Sequence, residues 1–346
     1  MAIKVLIVDD SATAREILKT ALSKDKSIEI VGMAPDAFVA RDMIVNLRPD
    51  VICLDIEMPK MDGLTFLKKI MRHLPTPVIM VSSLTVKGAQ TTLDALSFGA
   101  FDYIAKNTTS LDKLDVFADE IIKKVKQASR VNPTILQMRL QNTLKKSSTQ
   151  TVSLKKESNK IVLIGSSTGG TVALEDFLKR LPSDFPPIVI VQHMPASFTN
   201  GFAQRLNNLC KMEVQEARDG DMLQKGKVLI ANGSYHLKLR RSGNRYFVNF
   251  DDGELVSGHK PSVDVLFSSA AKYTSDNAIG IILTGMGRDG AKGLLEMKNA
   301  GCTTIGQDEK SCVVYGMPKV AYEIGAVNYV VSLDNLAEKV ISILNQ

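Results

Sequence analysis

A Gly-x-Ser-x-Gly pattern at residues 165–169 follows a short apolar stretch, residues 161–164. This is the spacing of a nucleophile elbow, a sharp turn between a strand and a helix that holds a serine away from the backbone. The glycines allow backbone conformations that would be strained for larger residues. In such a turn the oxygen of Ser167 is placed to attack a carbonyl group, and the next amide, that of Thr168, can face the developing oxyanion. The spacing selects Ser167 rather than Ser166 as the candidate nucleophile.

A glycine-rich turn between a strand and a helix has two other roles in proteins. It can hold a phosphate or a dinucleotide at the helix N-terminus, or it can be a turn without a ligand. The dinucleotide fingerprint Gly-x-Gly-x-x-Gly fits poorly, because its second glycine would fall on Ser167. Taken alone, the turn is consistent with three interpretations: a nucleophile elbow, an anion-binding site, or a turn that has no ligand.

A histidine and an aspartate lie in similar places after two further apolar stretches. His193 comes soon after residues 188–191, and Asp289 comes after residues 278–283. Serine is a poor nucleophile without a base near neutral pH. The three residues therefore match a catalytic triad. In it, Ser167 attacks, His193 takes the serine proton, and Asp289 orients the imidazole and stabilises its charged form. The chain order serine, histidine, aspartate differs from the order in α/β-hydrolases, so this would be a separate arrangement.

Two alternatives to this triad follow from the residues themselves. His236 and His259 lie in or just after a predicted β region, and either is an alternative base. Asp289 precedes a helical pattern, so it is also a candidate helix cap. The spacing alone leaves these alternatives open.

Polar residues at the ends of apolar stretches also form a second group, in the first half of the chain. Asp9 and Asp10 follow the first stretch, and Asp55, Ser82 and Lys106 follow later ones. Three carboxylates suit a hard divalent cation, Mg²⁺ above all. A carboxylate beside such an ion can attack a phosphoryl donor, and a lysine and a hydroxyl can hold the phosphoryl oxygens. The alternative is that the acids cap helices and the lysine is a surface charge.

The elements that position the second group alternate between strand and helix. The predicted strands are residues 4–8, 28–33, 51–54, 77–81 and 101–105, and helices are predicted over 12–22 and 37–47. Near-continuous apolar strands that alternate with helices predict a parallel sheet covered on both faces. The carboxyl ends of all its strands lie at one edge, so distant residues can converge there.

The same alternation resumes in the second half. Strands are predicted at residues 161–164, 188–191, 278–283 and 303–305, and helices over 171–181, 290–299 and 336–344. Asp334 is the predicted N-cap of the last helix. Three segments without helices between them, 227–231, 236–239 and 246–249, predict a separate β excursion. The fold class is therefore α/β in both halves.

Length, charge and composition limit the class of protein to which this chain can belong. The chain has 346 residues, which suggests two domains. Its net charge of +6 is concentrated, because residues 121–160 carry +9 and the remainder carries −3. This placement indicates a solvated basic linker rather than a nucleic-acid-binding face. No apolar run is long enough to cross a bilayer, and the N-terminus lacks the form of a signal peptide. We therefore expect a cytoplasmic protein without membrane insertion, and its four cysteines are expected to be free thiols.

The first half resembles a bacterial response-regulator receiver domain. The shared motifs are Val-Asp-Asp-Ser at 8–11, Leu-Asp-Ile-Glu-Met-Pro-Lys-Met-Asp-Gly at 54–63, Ser-Ser at 82–83 and Tyr-Ile-Ala-Lys at 103–106. The resemblance implies the phosphoacceptor Asp55, the Mg²⁺ ligands Asp9, Asp10 and Asp55, the switch residues Ser82 and Tyr103, and the phosphate partner Lys106. One departure is Asn107, where receivers usually have proline, and it predicts a different conformation for the loop that carries Lys106.

The second half resembles the catalytic domain of the CheB family of chemotaxis protein-glutamate methylesterases. The shared motifs are Gly-Ser-Ser-Thr-Gly-Gly at 165–170, Gln-His-Met-Pro at 192–195, His-Lys-Pro-Ser-Val-Asp-Val-Leu-Phe at 259–267, Leu-Thr-Gly-Met-Gly-Arg-Asp-Gly at 283–290 and Gly-Met-Pro at 316–318. By this resemblance Ser167, His193 and Asp289 are the triad, and the backbone amides of Thr168 and Met286 form the oxyanion hole. Ser166 stands where the family often has alanine, and little consequence is expected.

The resemblance also implies an architecture. It predicts a flavodoxin-like (βα)5 receiver domain over residues 1–127, a basic linker over 128–159 and a Rossmann-like, doubly wound methylesterase domain over 160–346. Part of the linker, with apolar residues between 135 and 144, is expected to form a short amphipathic segment.

The implied activity is hydrolysis of glutamate γ-methyl esters on the cytoplasmic domains of chemoreceptors, with deamidation of particular glutamines. A chemotaxis histidine kinase would supply the phosphoryl group, Mg²⁺ would serve the receiver, and the esterase reaction would need no cofactor. Two other classes of function stay open: a phosphorylation-controlled binding module with an inactive triad, and a nucleic-acid-binding regulator.

Overall fold

A computed structural model describes residues 2–82, 85–106, 111–131 and 158–346 of the chain. The described residues form two compact units, one before the gap at 132–157 and one after it. The predicted amphipathic segment of the linker and Asn107 lie outside the described residues, so the predicted domain boundaries stay predictions.

The first unit is a five-stranded parallel sheet whose strands alternate with helices. Its elements are β1 Ile3–Val8, α1 Ala12–Leu22, β2 Ile28–Ala34, α2 Ala37–Leu47, β3 Val51–Asp55, α3 Gly63–His73, β4 Val78–Ser82, α4 Val86–Ser97, β5 Asp102–Ala105 and α5 Leu111–Ala128. The strand order is β2-β1-β3-β4-β5, and every neighbouring pair is parallel. The central strands are buried along their length, as expected for a sheet with helices on both faces.

The second unit is built on a seven-stranded sheet. Its elements are β6 Ile161–Ser166, α6 Gly170–Leu178, β7 Ile188–Gln192, α7 Ala196–Leu209, β8 Glu213–Glu216, β9 Lys227–Ile230, β10 His236–Ser242, β11 Arg245–Asp251, α8 Val263–Thr274, β12 Ala278–Ile282, α9 Ala291–Asn299, β13 Thr303–Gln307, α10 Met317–Glu323, β14 Tyr329–Val331 and α11 Leu333–Leu344. The strand order is β14-β13-β12-β6-β7-β9-β8, with all neighbours parallel. Strands β10 and β11 form an antiparallel hairpin outside this sheet. The predicted α/β fold class is confirmed for both halves.

Two local predictions for the second unit are wrong. Residues 227–231 were expected in the β excursion, but β9 lies inside the parallel sheet between β7 and β8. Val228, Leu229 and Ile230 are buried, and such a short continuous apolar run fits a strand covered on both faces. Asp334 does not cap the last helix. That helix begins at Leu333, so Asp334 lies in its first turn, where a carboxylate interacts favourably with the helix N-terminus.

None of the helices in the described part of the chain has an apolar stretch long enough to cross a lipid bilayer.

Candidate active site

The strand order brings three segments of the second unit to one edge of its sheet. Strand β6 lies between β7 and β12, and the chain changes direction at β6, with β7, β9 and β8 on one side and β12, β13 and β14 on the other. Ser167 and His193 directly follow β6 and β7, and Asp289 lies in the loop after β12. Such a switch point, at the carboxyl ends of parallel strands, is where α/β proteins bind ligands.

The turn that carries Ser167 is held by close backbone contacts. The amide of Ser167 donates to the carbonyl of Thr284, 3.0 Å away, and the amide of Gly170 donates to the carbonyl of Ser167 at 2.7 Å. Gly169 has φ of +79°, a conformation that favours glycine, and α6 begins just after it. A Cβ on Gly285 would lie 2.8 Å from the Cβ of Ser167, so only glycine lets these two loops approach. The turn therefore has the geometry expected of a nucleophile elbow.

His193 and Asp289 form a direct side-chain pair. The Nε2 atom of His193 lies 2.8 Å from Oδ2 of Asp289. An ionised carboxylate only accepts hydrogen bonds, so Nε2 carries the hydrogen and Nδ1 is unprotonated in the neutral ring. Nδ1 is buried and has no hydrogen-bond partner among the residues that the structure describes. This nitrogen is the one left for proton transfer.

The carboxylate of Asp289 lies against the N-terminus of a different element, helix α8. The carboxylate accepts hydrogen bonds from the hydroxyl of Ser262 at 2.7 Å, the amide of Val263 at 2.7 Å and the amide of Asp264 at 3.1 Å. Burial by itself raises the pKa of Asp289, but the bonds from His193, Ser262 and Val263 outweigh it and lower this pKa to about 2. A helix N-terminus stabilises an anion in the same direction. Asp289 is therefore charged near neutral pH and can stabilise a protonated His193.

Gln192, the last residue of β7, connects the loops that carry Ser167 and His193. Its Nε2 donates to the backbone carbonyls of Ser167 at 3.0 Å and His193 at 3.1 Å. Its Oε1 accepts from the hydroxyl of Ser166 at 2.7 Å. Ser166 is fully buried and Gln192 nearly so. One buried amide thus links the backbone of the candidate nucleophile to that of the candidate base.

The predicted oxyanion donors belong to two backbone segments that meet at Ser167. Thr168 follows Ser167 in the elbow, and Met286 follows Gly285, whose backbone packs against Ser167. The amide of Met286 makes no hydrogen bond within the described part of the chain. The assignment of these two amides stays a prediction.

In the first unit, the predicted metal and phosphorylation residues also meet at a switch point, between β1 and β3. Asp9 and Asp55 are buried, Asp10 is exposed, and the three offer carboxylate oxygens within 4.8 Å of one another. The Nζ atom of Lys106 lies 2.8 Å from Oδ2 of Asp9 and 2.8 Å from Oδ1 of Asp55. This donor set suits Mg²⁺, which prefers carboxylate oxygens.

The electrostatics of this cluster support the fit of a cation. Burial raises the pKa of Asp55 to about 6 and the neighbouring Asp9 adds to this, while Lys106 acts in the opposite direction. Asp9 Oδ2, although close to the lysine, accepts no aligned hydrogen bond from any described residue. A second positive charge would therefore stabilise both buried carboxylates in their ionised form.

The two predicted switch residues lie inside the first unit. Ser82 is fully buried at the end of β4, and its Oγ lies 2.8 Å from Oγ1 of Thr92 on α4. Tyr103 is also buried, which raises the pKa of its hydroxyl well above the usual value. The amide of Lys106 donates to the carbonyl of Ser82 at 2.7 Å, which ties the ends of β4 and β5 together.

Comparison with known proteins decides the family. The family model for the CheB methylesterase matches residues 162–340, and the model for the response regulator receiver domain matches residues 5–116. The protein-glutamate methylesterase/protein-glutamine glutaminase of Sulfurimonas denitrificans is 56% identical, over 100% of this chain and 99% of its own length. The chain belongs to the CheB family. A second relative, the protein-glutamate methylesterase/protein-glutamine glutaminase 2 of Syntrophus aciditrophicus, is 55% identical over 98% of both chains.

A solved CheB structure is also similar to the second unit. The Thermotoga maritima CheB methylesterase catalytic domain is 42% identical and has a TM-score of 0.53. It matches over its full length and covers 54% of this chain.

Within this CheB site, the structure separates the three candidate histidines. Both ring nitrogens of His236 bond to the backbone: Nε2 to the carbonyl of Glu254 at 2.8 Å, and Nδ1 to the amide of Ser262 at 3.1 Å. His236 is therefore engaged in supporting the start of α8. His259 stacks on the His193 ring, with ring centroids 3.8 Å apart. The side chain of His193 is bonded to Asp289, as the predicted triad requires of the base.

Two residues that support the site, Ser262 and Gln192, were not predicted from the sequence. Ser262 both caps α8, by accepting from the amide of Val265, and donates to Asp289. A serine just before an apolar helical pattern is a recognisable cap signal. Gln192 has no comparable local signal, since all three of its partners lie in the turns that β6 and β7 bring together.

We expect Gln192→Met to destabilise the catalytic unit by about 3 kcal/mol. The substitution keeps the side-chain volume, but the buried hydroxyl of Ser166 and the carbonyls of Ser167 and His193 lose their partner. Each lost hydrogen bond to a buried group costs roughly 1–3 kcal/mol. Thermal or denaturant unfolding of the full chain measures the change. Gln215→Met, on strand β8, is the matched control. An unchanged unfolding transition in Gln192→Met would contradict the bridging role.

We expect Asp264→Asn to change the pH dependence of stability. Burial, together with the nearby Asp289, raises the pKa of Asp264 to about 6. Because this is above the value in an unfolded chain, about 3.9, the free energy of unfolding falls as pH rises from about 4 to about 6. The asparagine variant lacks this slope and is expected to be more stable at pH 7.5 by about 1 kcal/mol, after allowance for solvent screening of this half-buried group.

Denaturant unfolding at a series of pH values measures the effect of Asp264→Asn. The exposed Asp276, replaced by asparagine, is the control. If the wild type and Asp264→Asn lose the same stability between pH 4 and pH 6, the carboxylate does not carry the shifted pKa.

Proposed function

We propose that this protein hydrolyses glutamate γ-methyl esters and deamidates particular glutamines on chemoreceptors, using Ser167, His193 and Asp289 as a catalytic triad under the control of Asp55 phosphorylation. The observation that carries the proposal is the charged Asp289 at the start of α8, bonded to His193 beside the Ser167 turn. The names of the curated relatives support the esterase and glutaminase activities.

The first half of the reaction forms an acyl-enzyme. His193 Nδ1 takes the proton of the Ser167 hydroxyl while Oγ attacks the γ-carbonyl carbon of the methyl ester. The amides of Thr168 and Met286 are the proposed donors to the tetrahedral oxyanion. The charged Asp289 stabilises the imidazolium that forms. Protonated His193 then gives its proton to the departing methoxide oxygen, which leaves as methanol.

The second half regenerates the enzyme. A water molecule gives one proton to His193 Nδ1 and attacks the acyl carbon. The tetrahedral intermediate collapses, and Ser167 Oγ leaves and recovers the proton from His193. The product is the glutamate γ-carboxylic acid, which loses the second proton of the water to solvent and becomes a carboxylate. With a glutamine side chain the same sequence releases ammonia in place of methanol.

The first unit is the proposed regulatory part. Asp55 is the proposed phosphoacceptor, Lys106 the partner of the phosphoryl group, and Ser82 and Tyr103 the switch residues. When bound, Mg²⁺ would be held by Asp9, Asp10 and Asp55 and would neutralise charge on the phosphoryl oxygens. Phosphorylation adds negative charge to Asp55, which contacts Lys106, and this charge is the proposed signal to which Ser82 and Tyr103 respond.

The partners follow from the same proposal. The substrates are the cytoplasmic domains of methyl-accepting chemoreceptors, the phosphodonor is a chemotaxis histidine kinase, and the protein acts in the cytoplasm. Neither nucleic acid nor membrane insertion is part of the proposed activity.

Methanol release from a methylated receptor fragment tests the proposal. We expect the full chain to release methanol faster when acetyl phosphate and Mg²⁺ are present. Asp55→Asn should show the basal rate in both conditions, and Asp42→Asn, on the surface of α2, should behave like the wild type. Release that ignores the phosphodonor would contradict the regulation alone. Absence of release from a phosphorylated wild-type protein would contradict the substrate.

A further inference from the structure

The ring of His259 lies on the ring of His193. The ring centroids are 3.8 Å apart and the ring planes differ by 14°, so the two imidazoles are stacked. The side chain of His193 is 7% exposed, so little solvent reaches its ring. Stacked aromatic rings attract each other beyond the contribution of the area that they bury.

His259 belongs to a short braced segment between the β10–β11 hairpin and α8. Val256 and His259 exchange two backbone hydrogen bonds, of 3.1 and 3.0 Å. Lys260 pairs with Asp252 at 2.9 Å. Three residues after His259, Ser262 donates to the Asp289 carboxylate. The same segment thus contacts both His193 and its carboxylate partner.

The stack supplies a constraint that the Asp289 bond does not. The single hydrogen bond from Nε2 sets the distance between the His193 ring and the carboxylate, but it constrains the plane of the ring weakly. Nδ1 has no hydrogen-bond partner in the described part of the chain that would hold this plane from the other side. Proton transfer from Ser167 requires the Nδ1 lone pair, which lies in the ring plane, to point at the serine oxygen.

We propose that His259 is a positioning residue for the hydrolysis: its flat ring keeps the plane of the His193 imidazole in the orientation that receives the Ser167 proton. The inference rests on the proposed triad. Since the two rings are face to face, neither nitrogen of His259 lies in the plane of proton transfer. The flat face, and not a ring nitrogen, is therefore the feature that the role requires.

Three substitutions at His259 separate this role from the alternatives. His259→Phe keeps a flat ring without nitrogens, His259→Leu fills similar space without a flat face, and His259→Ala removes the side chain. We expect kcat for methanol release by the activated full chain to fall about 10-fold in the leucine and alanine variants, with KM within about 3-fold, because small errors of alignment slow catalysis strongly. The phenylalanine variant should stay within about 3-fold of the wild type.

Labelling of Ser167 by a fluorophosphonate provides a second readout. Its rate should fall in His259→Leu and recover in His259→Phe, while the thermal unfolding midpoints of these two variants stay close to each other. Wild-type kcat in His259→Leu would overturn the proposal. Equal losses in the phenylalanine and leucine variants would also overturn it, because a nitrogen would then be required. A fully active Ser167→Ala variant would show that the triad itself is wrong. An inactive Ser167→Ala variant together with a normal His259→Leu variant would overturn only the positioning role of His259.

Discussion

Replacing Ser167 with alanine is expected to lower kcat for ester hydrolysis by about four to six orders of magnitude. The substitution removes the atom that forms the acyl-enzyme, and losses of this size follow removal of the nucleophile from a serine triad. The fold should be unaffected, because the hydrogen bonds that Ser167 makes to the described residues come from its backbone. Removal of the hydroxyl therefore leaves no buried group unpaired.

Two assays on the full chain test this expectation. Methanol release from a methylated receptor fragment measures turnover, and labelling by a fluorophosphonate reports whether Ser167 is an activated nucleophile. Ser242→Ala, at the end of β10, is the matched control and should keep wild-type turnover and labelling. Normal turnover in Ser167→Ala would remove Ser167 from the mechanism. Loss of turnover together with a large fall in the unfolding midpoint would show a structural role instead.

Replacing Asp289 with asparagine is expected to lower kcat by about three to four orders of magnitude. The negative charge that stabilises protonated His193 disappears, and an amide can donate to the ring and favour the wrong tautomer. The surroundings of Asp289 increase the expected fall in kcat. The amides of Val263 and Asp264 and the hydroxyl of Ser262 all donate toward the carboxylate. An asparagine NH₂ group placed there would face donors.

The same substitution is expected to change acid stability, and the sign differs from that of Asp264. The pKa of Asp289, about 2, is below its value in an unfolded chain. Ionised Asp289 therefore stabilises the unit above about pH 4, and this contribution is lost as pH falls toward 2. Asp289→Asn should lack that part of the acid transition, which unfolding at several pH values measures.

Asp276→Asn, in the exposed turn after α8, is the control for both measurements on Asp289. A kcat within about 10-fold of the wild type in Asp289→Asn would show that the carboxylate does not act on His193. An unchanged acid transition would show that its ionised form is not the one that the fold stabilises.

Much of the architecture could be predicted because its signals are local. Continuous apolar strands followed by polar residues, as at Asp9, Asp55 and Ser167, indicate both a parallel sheet and the edge where its chemistry is placed. The prediction failed for residues 227–231, where an apolar run of four residues fits a hairpin strand as well as a central one. It also failed at Asp334, because an acid at a helix start can lie at the cap or in the first turn.

The sequence by itself determined the family, the α/β class and the candidate residues, because motif spacing and hydrophobic periodicity are properties of neighbouring residues. Only the tertiary structure decided which histidine pairs with Asp289, which nitrogen of His193 is left for the proton, and that Gln192, Ser262 and His259 support the pair. These features depend on contacts between segments that are 25 to nearly 100 residues apart. Such contacts form only when the strands take their order in the sheet, and no local pattern encodes that order.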